Sequence, residues 1–122
     1  MAALTSGANP IDNGTALRFA VYYRVATAAE PAGYTWTFSA SQKASGGIQA
    51  YVNVDPADPI DVALGQATPA GNDHSTPNIT TSLNGTMLVA SFATAIGANW
   101  VPQTAGLLER YDAASGGGPQ DT

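Results

Sequence analysis

Hydrophobic and polar residues alternate along residues 16–26 (ALRFAVYYRVA), and this is the clearest pattern in the chain. A period of two over this length predicts a β-strand with one apolar face, which leaves the arginines on the solvent face. Residues 34–39 (YTWTFS) alternate in the same way and place Tyr34, Trp36 and Phe38 on one face. We therefore predict that the two strands pair as a hairpin with an aromatic inner face.

Further short strands are predicted between turn signals. The dipeptide Asn84-Gly85 accommodates positive φ at both central positions of a turn, which fits a type I′ hairpin turn. Apolar residues lie on both faces of residues 86–95, which follow this turn, so we expect a central strand that is covered on both sides. The additional predicted strands are residues 48–54, 60–64, 79–83, 86–95 and 107–112.

These elements define the predicted fold class. No stretch has helical periodicity, and short strands separated by turns are typical of β-sandwiches and barrels. We predict an all-β fold, an antiparallel β-sandwich of jelly-roll or Ig-like type with about six to eight short strands. The length of 122 residues suggests one domain. We assign it to residues 1–115, with a turn-rich leader at 1–15 and a flexible Gly-rich tail at 116–122.

The composition narrows the class of partner. Charged residues make up only 11% of the chain and the formal net charge is −5, which gives a polar but uncharged surface like that of many secreted and virion proteins. The four basic residues are scattered. Nucleic-acid binding needs a basic patch, so we expect no nucleic-acid partner. The chain has no cysteine, which excludes disulfides and thiolate metal sites.

The N-terminal residues bear on location. They have no basic region followed by an apolar stretch, so they do not read as a signal peptide. No window approaches the ~20 apolar residues of a membrane span, and we expect no membrane insertion. Virions assemble in the cytoplasm, so the lack of a signal-peptide pattern favours a virion component. The other expected location is the extracellular space or the cell surface.

Three segments then suggest a family. They are LRFAVYYRVATAAEPAGYTWTFSASQKASGGIQAYVNVDPADPIDV, ITTSLNGTMLVASFATA and LLERYDAAS, in that order. They resemble a repeated β-sandwich domain of large surface or secreted proteins of actinobacteria and other bacteria, and of phage tail-associated proteins. The matching phrases are YYRVA…EP..YTWTFS, GGI.AY..VD…PID, and TMLV followed by a Trp- or Pro-bearing loop and ERYD. The resemblance spans residues 13–115 and implies a spacer, adhesive or virion-surface role, with no known catalytic residues.

The chain also departs from this family pattern. Family members usually begin earlier, with two strands before the position of Asn13, and usually continue after the ERYD segment. The resemblance therefore implies a shortened sandwich with open edges, and open strand edges pair with other chains. We expect a homo-oligomer or a complex with other virion or surface proteins. The alternative is that the leader at 1–15 and the tail at 113–122 fold back and cap the edges.

Catalytic chemistry is not expected. The sole histidine, His74, lies between Asp73 and Ser75. Adjacent loop residues do not form the relay of a catalytic triad, and no nucleophile elbow is present. Nothing in the pattern places the two glutamates on opposite sides of a cleft, as a glycosidase needs. We therefore predict that the protein is not an enzyme and that it has no catalytic or cofactor-binding residues.

The acidic segment DPADPID is the one candidate for a metal site. Asp55, Asp58 and Asp61 recur at every third position, and carboxylates at this density can bind calcium. The segment lacks the alternating ligand spacing and the glycine of an EF-hand loop. Aspartate before proline also favours turn initiation. We favour the turn and predict no metal, with calcium kept as the alternative.

Four aromatic residues are candidates for ligand or interface contacts: Tyr22, Tyr51, Trp100 and Tyr111. Exposed rings stack on sugars in carbohydrate-binding modules, and Tyr and Trp are enriched at protein interfaces. The alternative is an ordinary core or half-buried strand position. The sequence favours a non-catalytic structural or adhesive module displayed on a phage virion or bacterial surface, acting through self-assembly or multivalent contacts. The alternative function is a carbohydrate-binding module with a glycan partner.

Overall fold

A computed structural model describes residues 2–3, 9–96 and 105–113. The described chain has no helix and four short strands, which form two antiparallel two-stranded sheets. β1 (Ala2–Ala3) pairs with β4 (Tyr22–Tyr23), and β2 (Ile11–Asn13) pairs with β3 (Leu17–Phe19). The all-β class is thus confirmed for these residues. None of the described residues belongs to a helix that is long and apolar enough to cross a membrane.

The tightest element is the hairpin of β2 and β3. Its turn is closed by a hydrogen bond from the Ala16 N–H to the Asn13 carbonyl, at 3.3 Å. Gly14 has φ +58° at the first central position of this turn, and a glycine adopts that conformation at no steric cost. Asp12 lies opposite Arg18 in the register, with 3.5 Å between Asp12 Oδ1 and Arg18 Nε. Both side chains are exposed, so the ion pair contributes at most about 1 kcal/mol.

The described residues of the N-terminal leader, 2–3 and 9–13, lie along one edge of the strand segment 17–23. β2 and β1 cover its two ends, and the Asn9 side chain bonds to the backbone between them. Asn9 Nδ2 donates to the Val21 carbonyl at 3.0 Å, and the Val21 N–H donates to Asn9 Oδ1 at 3.1 Å. These are the two bonds that a neighbouring strand residue would make. The described leader residues therefore cap this edge, which confirms the part of the capping alternative that concerns the leader; residues 114–122 of the tail lie outside the described residues.

The alternation in this segment is confirmed as far as Tyr23, with one exception. Leu17, Phe19, Val21 and Tyr23 are all half-buried, and the intervening Arg18 and Tyr22 are exposed, but Ala20 is half-buried as well. The alternation over residues 16–26 also places Val25 on this apolar face, but its side chain is exposed. The alternation therefore ends where the strand pairing ends.

The predicted hairpin between 16–26 and 34–39 is wrong. Tyr22–Tyr23 pairs with Ala2–Ala3, and residues 34–39 form no strand. The segment pairs instead with the leader on its N-terminal side, across the short turn at residues 14–16. A short connection costs less loop-closure entropy than the longer one at 24–33.

Other predicted strands are also not formed, and the described residues contain no sandwich of six to eight strands. Strand propensity reflects side-chain packing against a neighbouring surface, so an apolar segment without a paired neighbour need not form a strand. The predicted segments without strand structure are 34–39, 48–54, 60–64, 79–83, 86–95 and 107–112.

The turn prediction at Asn84-Gly85 is correct in part. A turn is formed there, and Gly85 has φ +78°. Asn84 is not among the residues with positive φ, so the turn is not type I′ as predicted. Without a paired hairpin around it, the turn does not need positive φ at both central positions to match the twist of flanking strands.

The described chain divides into two compact units. The first contains Met1–Ala29 and Asn53–Ala95, and the second contains Glu30–Val52 and Ile96–Thr122. No described side chain in either unit is fully buried. The single domain over 1–115 stays a prediction, and the tail at 116–122 lies outside the described residues.

Candidate functional site

The candidate aromatic residues that the structure describes are exposed. Tyr22 lies in β4 of the first unit, whereas Tyr51 and Tyr111 belong to the second unit. All three side chains are exposed, so the alternative of core or half-buried positions is wrong for them. Trp100 lies outside the described residues. The described tyrosines therefore remain candidates for surface contacts.

Tyr111 packs against a defined position within the second unit. Its ring lies against Gly47, where a Cβ would overlap the ring atoms, 2.8 Å from the phenol oxygen. Nearby along the same two segments, the Ser45 hydroxyl donates to the Ala113 carbonyl at 2.6 Å. A glycine is required at position 47 for this close approach. The segment that carries Tyr111 is thus held against residues 45–47.

The predicted aromatic inner face is not covered within the described chain. The rings of Tyr34 and Trp36 are 6.5 Å apart between centroids and tilted by 51°, which is favourable contact geometry for an aromatic pair. The Tyr34 hydroxyl donates to Glu30 Oε2. Trp36 and Phe38 remain exposed. The pair is therefore a local cluster and not part of a closed core.

The acidic segment makes turn and bridging contacts. Asp55 Oδ1 accepts a hydrogen bond from the Ala57 N–H at 2.9 Å, which is an Asx turn. Asp61 Oδ2 accepts from the backbone N–H groups of Ser82 and Leu83, at 2.8 and 3.3 Å. Asp61 Oδ1 accepts from the Ser82 hydroxyl at 2.5 Å. This set of bonds, the Asp61 clasp, fixes the start of the Asn84-Gly85 turn to the acidic segment.

The same contacts determine the ionisation of Asp61. The hydrogen bond from the Ser82 hydroxyl holds the pKa of the Asp61 carboxyl below its ordinary value. The backbone N–H groups of Ser82 and Leu83 add to this effect, and desolvation opposes it. All these bonds favour the carboxylate over the acid. The clasp is therefore strongest when Asp61 is charged.

The calcium alternative is not supported by the described residues. Among them, no group of three or more His, Cys, Asp or Glu side chains could hold a metal ion. Asp55 and Asp61 instead accept hydrogen bonds from the protein. A shallow cavity of about 220 Å³ is lined by Tyr23, Asp58 and Asp61 among others. Ligand sites typically enclose about 300 Å³ or more, so this cavity is small for one.

His74 lies in a hydrogen-bonded loop. Its Nδ1 is 2.5 Å from the Thr68 hydroxyl, and its Nε2 is 3.0 Å from the Gly71 carbonyl. A ring with the proton on Nε2 satisfies both contacts, because Nε2 then donates to the carbonyl and Nδ1 accepts from the hydroxyl. Ser75 meanwhile accepts hydrogen bonds from Gln66 Nε2 at its carbonyl and its hydroxyl. These contacts suit a loop histidine.

The chain also contains a long run without charge. Residues 75–108 contain no ionisable side chain, since Asp73 and His74 precede the run and Glu109 follows it. Within it, Met87, Leu88 and Val89 are 59, 58 and 52% exposed. The prediction of a central strand covered on both faces is wrong here.

Comparison with known proteins adds no family. No family model, no curated protein and no solved structure matches the chain. The resemblance to the bacterial and phage β-sandwich domain stays a prediction.

Proposed function

We propose that this chain is a non-catalytic structural module that acts by self-assembly and completes a β-sandwich with strands of neighbouring copies. The site of display would be a virion or a bacterial surface. The observation that carries the proposal is the absence of any fully buried side chain among the described residues. A chain with 44% hydrophobic residues has ample apolar surface to bury, and burial is worth about 25 cal/mol per Å².

The strand edges support the same function. Each described sheet has only two strands, so every described strand has one edge without a ladder partner. Such an edge presents N–H and C=O groups that pair with another chain. The described leader residues cover one edge of segment 17–23, and no described strand pairs with the other edge. Self-association through sheet edges satisfies these groups and covers apolar side chains in one step.

The composition is compatible with close contact between identical chains. Few residues are charged, so few like charges meet when copies associate, although the net charge of −5 opposes association weakly. Binding between copies usually follows closed rotational symmetry, and a head-to-tail contact builds a filament or lattice instead. Either outcome gives multivalent presentation on a surface.

Sedimentation velocity across the micromolar range tests the proposal. We expect the average sedimentation coefficient to rise with protein concentration. A chain that stays monomeric at every concentration and unfolds cooperatively would contradict self-assembly. That result would leave the carbohydrate-binding alternative, which a glycan panel with Tyr22→Ala and Tyr111→Ala would then examine.

The non-catalytic part of the proposal has its own test. His74 Nδ1 contacts the Thr68 hydroxyl and its Nε2 contacts the Gly71 carbonyl, so both ring nitrogens are engaged within the loop, as in a structural histidine. We expect no turnover on esterase, glycosidase and peptidase substrates. Activity that is present in the unaltered chain and lost in His74→Ala would overturn this.

A further inference from the structure

We infer that residues 86–92 (TMLVASF) form the self-pairing strand of this protein, antiparallel to the same residues of a second copy. This inference rests on the proposed function, because it names the surface through which copies meet. The segment has an aromatic residue, β-branched residues and no proline, glycine or charge. Those features are typical of segments that pair strongly as strands between chains.

Residues 86–91 of this segment have no ladder partner among the described residues. Residues 86–91 form no strand and make no backbone–backbone hydrogen bond with any described residue. Met87, Leu88 and Val89 are neighbours in sequence, and each is more than half exposed. A strand directs neighbouring side chains to opposite faces, so both faces of this segment would carry apolar surface that needs cover.

The charge distribution favours a second copy as the partner. A twofold contact brings the same patch of both copies together, so a patch that carries net charge of one sign repels itself. The nearest ionisable residues along the chain are His74 and Glu109, and the net charge of −5 is carried outside the run between them. This is the longest run of the chain without an ionisable side chain. Residues 86–92, which lie within this run, therefore bring no like charges of their own to a contact between identical chains.

Side-chain sizes fix the register. An antiparallel pair centred on Val89 places Leu88 opposite Ala90 and Met87 opposite Ser91. Large residues then face small ones on both flanks, which lets the side chains interdigitate. The Asp61 clasp and the Gly85 turn hold the start of the segment, so it is presented in a defined position. That restraint lowers the entropy cost of pairing.

The size of the contact sets its strength. Seven residues of strand extend about 23 Å, and a ladder of that length buries less than the ~1,200 Å² of a stable interface. The pair is therefore weak and reversible on its own. Each segment also has a second edge, so association continues beyond two copies as concentration rises.

The test compares the same substitution at two exposed valines. Val89 is 52% exposed in the segment, and Val52, in the other unit, is 84% exposed. We expect Val89→Lys to abolish the concentration dependence of sedimentation, because two ammonium groups would meet at the centre of the pair. Val52→Lys adds the same charge elsewhere and should sediment like the unaltered chain.

A second pair of variants keeps the inference testable if Val89→Lys fails to fold. The chain has no cysteine, so Val89→Cys and Val52→Cys each carry a single thiol. With oxidised glutathione as the oxidant, we expect Val89→Cys to form covalent dimers faster, although Val52 is the more exposed site. Equal rates, or Val89→Lys sedimenting like Val52→Lys, would overturn the inference while leaving self-assembly intact. A monomeric unaltered chain would overturn both.

Discussion

The bonds between Asn9 and Val21 give the sharpest prediction about the fold. The Asn9 amide supplies one donor and one acceptor to the Val21 backbone, at 3.0 and 3.1 Å. Each hydrogen bond contributes about 1 kcal/mol net, so Asn9→Ala should lower the free energy of unfolding by about 2 kcal/mol. For a domain of this size that corresponds to a fall of about 8 °C in the melting temperature.

Thermal unfolding followed by circular dichroism measures this change. Asn72→Ala is the matched control, because Asn72 is an exposed loop residue and its substitution should leave the melting temperature unchanged. Asn9→Asp separates the two bonds, since a carboxylate accepts from the Val21 N–H but cannot donate to the Val21 carbonyl. We expect it to be destabilised as well. If Asn9→Ala melted with the control, the leader would not be part of the folded edge.

The remaining predictions concern the Gly85 turn, the Gly47–Tyr111 contact and the Asp61 clasp. Gly85→Ala should lower the free energy of unfolding by about 1 kcal/mol, because Gly85 has φ +78°, which strains an alanine even though no neighbouring atom obstructs its Cβ. Gly71→Ala should be neutral in the same melting assay, because its Cβ also meets open space and Gly71 has no positive φ. Gly47→Ala should lower the melting temperature by displacing the Tyr111 ring, and the effect should vanish in a Tyr111→Ala background, as a double-mutant cycle would reveal. Asp61→Asn should have a lower melting temperature than the unaltered chain at neutral pH. This difference in melting temperature should disappear as pH falls below about 4, because the lowered pKa of Asp61 gives a stabilisation that protonation removes. A difference that does not change with pH would refute this.

Local pattern predicted the parts of the fold that depend on near neighbours. The alternation through Leu17 and Phe19 identified a strand, and Asn84-Gly85 identified a turn with positive φ at Gly85. Neither depends on distant residues. The partner of the strand was missed, because the leader reads as turn-rich and its pairing with Val21 uses an asparagine side chain. Hydrophobic periodicity carries no signal for such a bond.

The candidate site was predictable in composition but not in geometry. The aromatic candidates Tyr22, Tyr51 and Tyr111 are exposed, yet nothing in the sequence indicated that Gly47 seats the Tyr111 ring. The spacing of the acidic residues suggested calcium or turns. Asp55 confirms the turn, whereas the bonds from Ser82 to Asp61 join residues far apart in sequence. Long-range contacts of this kind follow from the fold and not from local spacing.

Backbone hydrogen exchange at low and high protein concentration tests the central claim of self-assembly most directly. Amides in residues 17–23 that face the leader belong to an intramolecular ladder, so their protection should be the same at both concentrations. Amides in residues 86–91 should exchange rapidly in the dilute chain and become protected in the concentrated one, since pairing between copies would engage them. Identical exchange of residues 86–91 at both concentrations, together with unchanged protection elsewhere, would contradict assembly through strand edges.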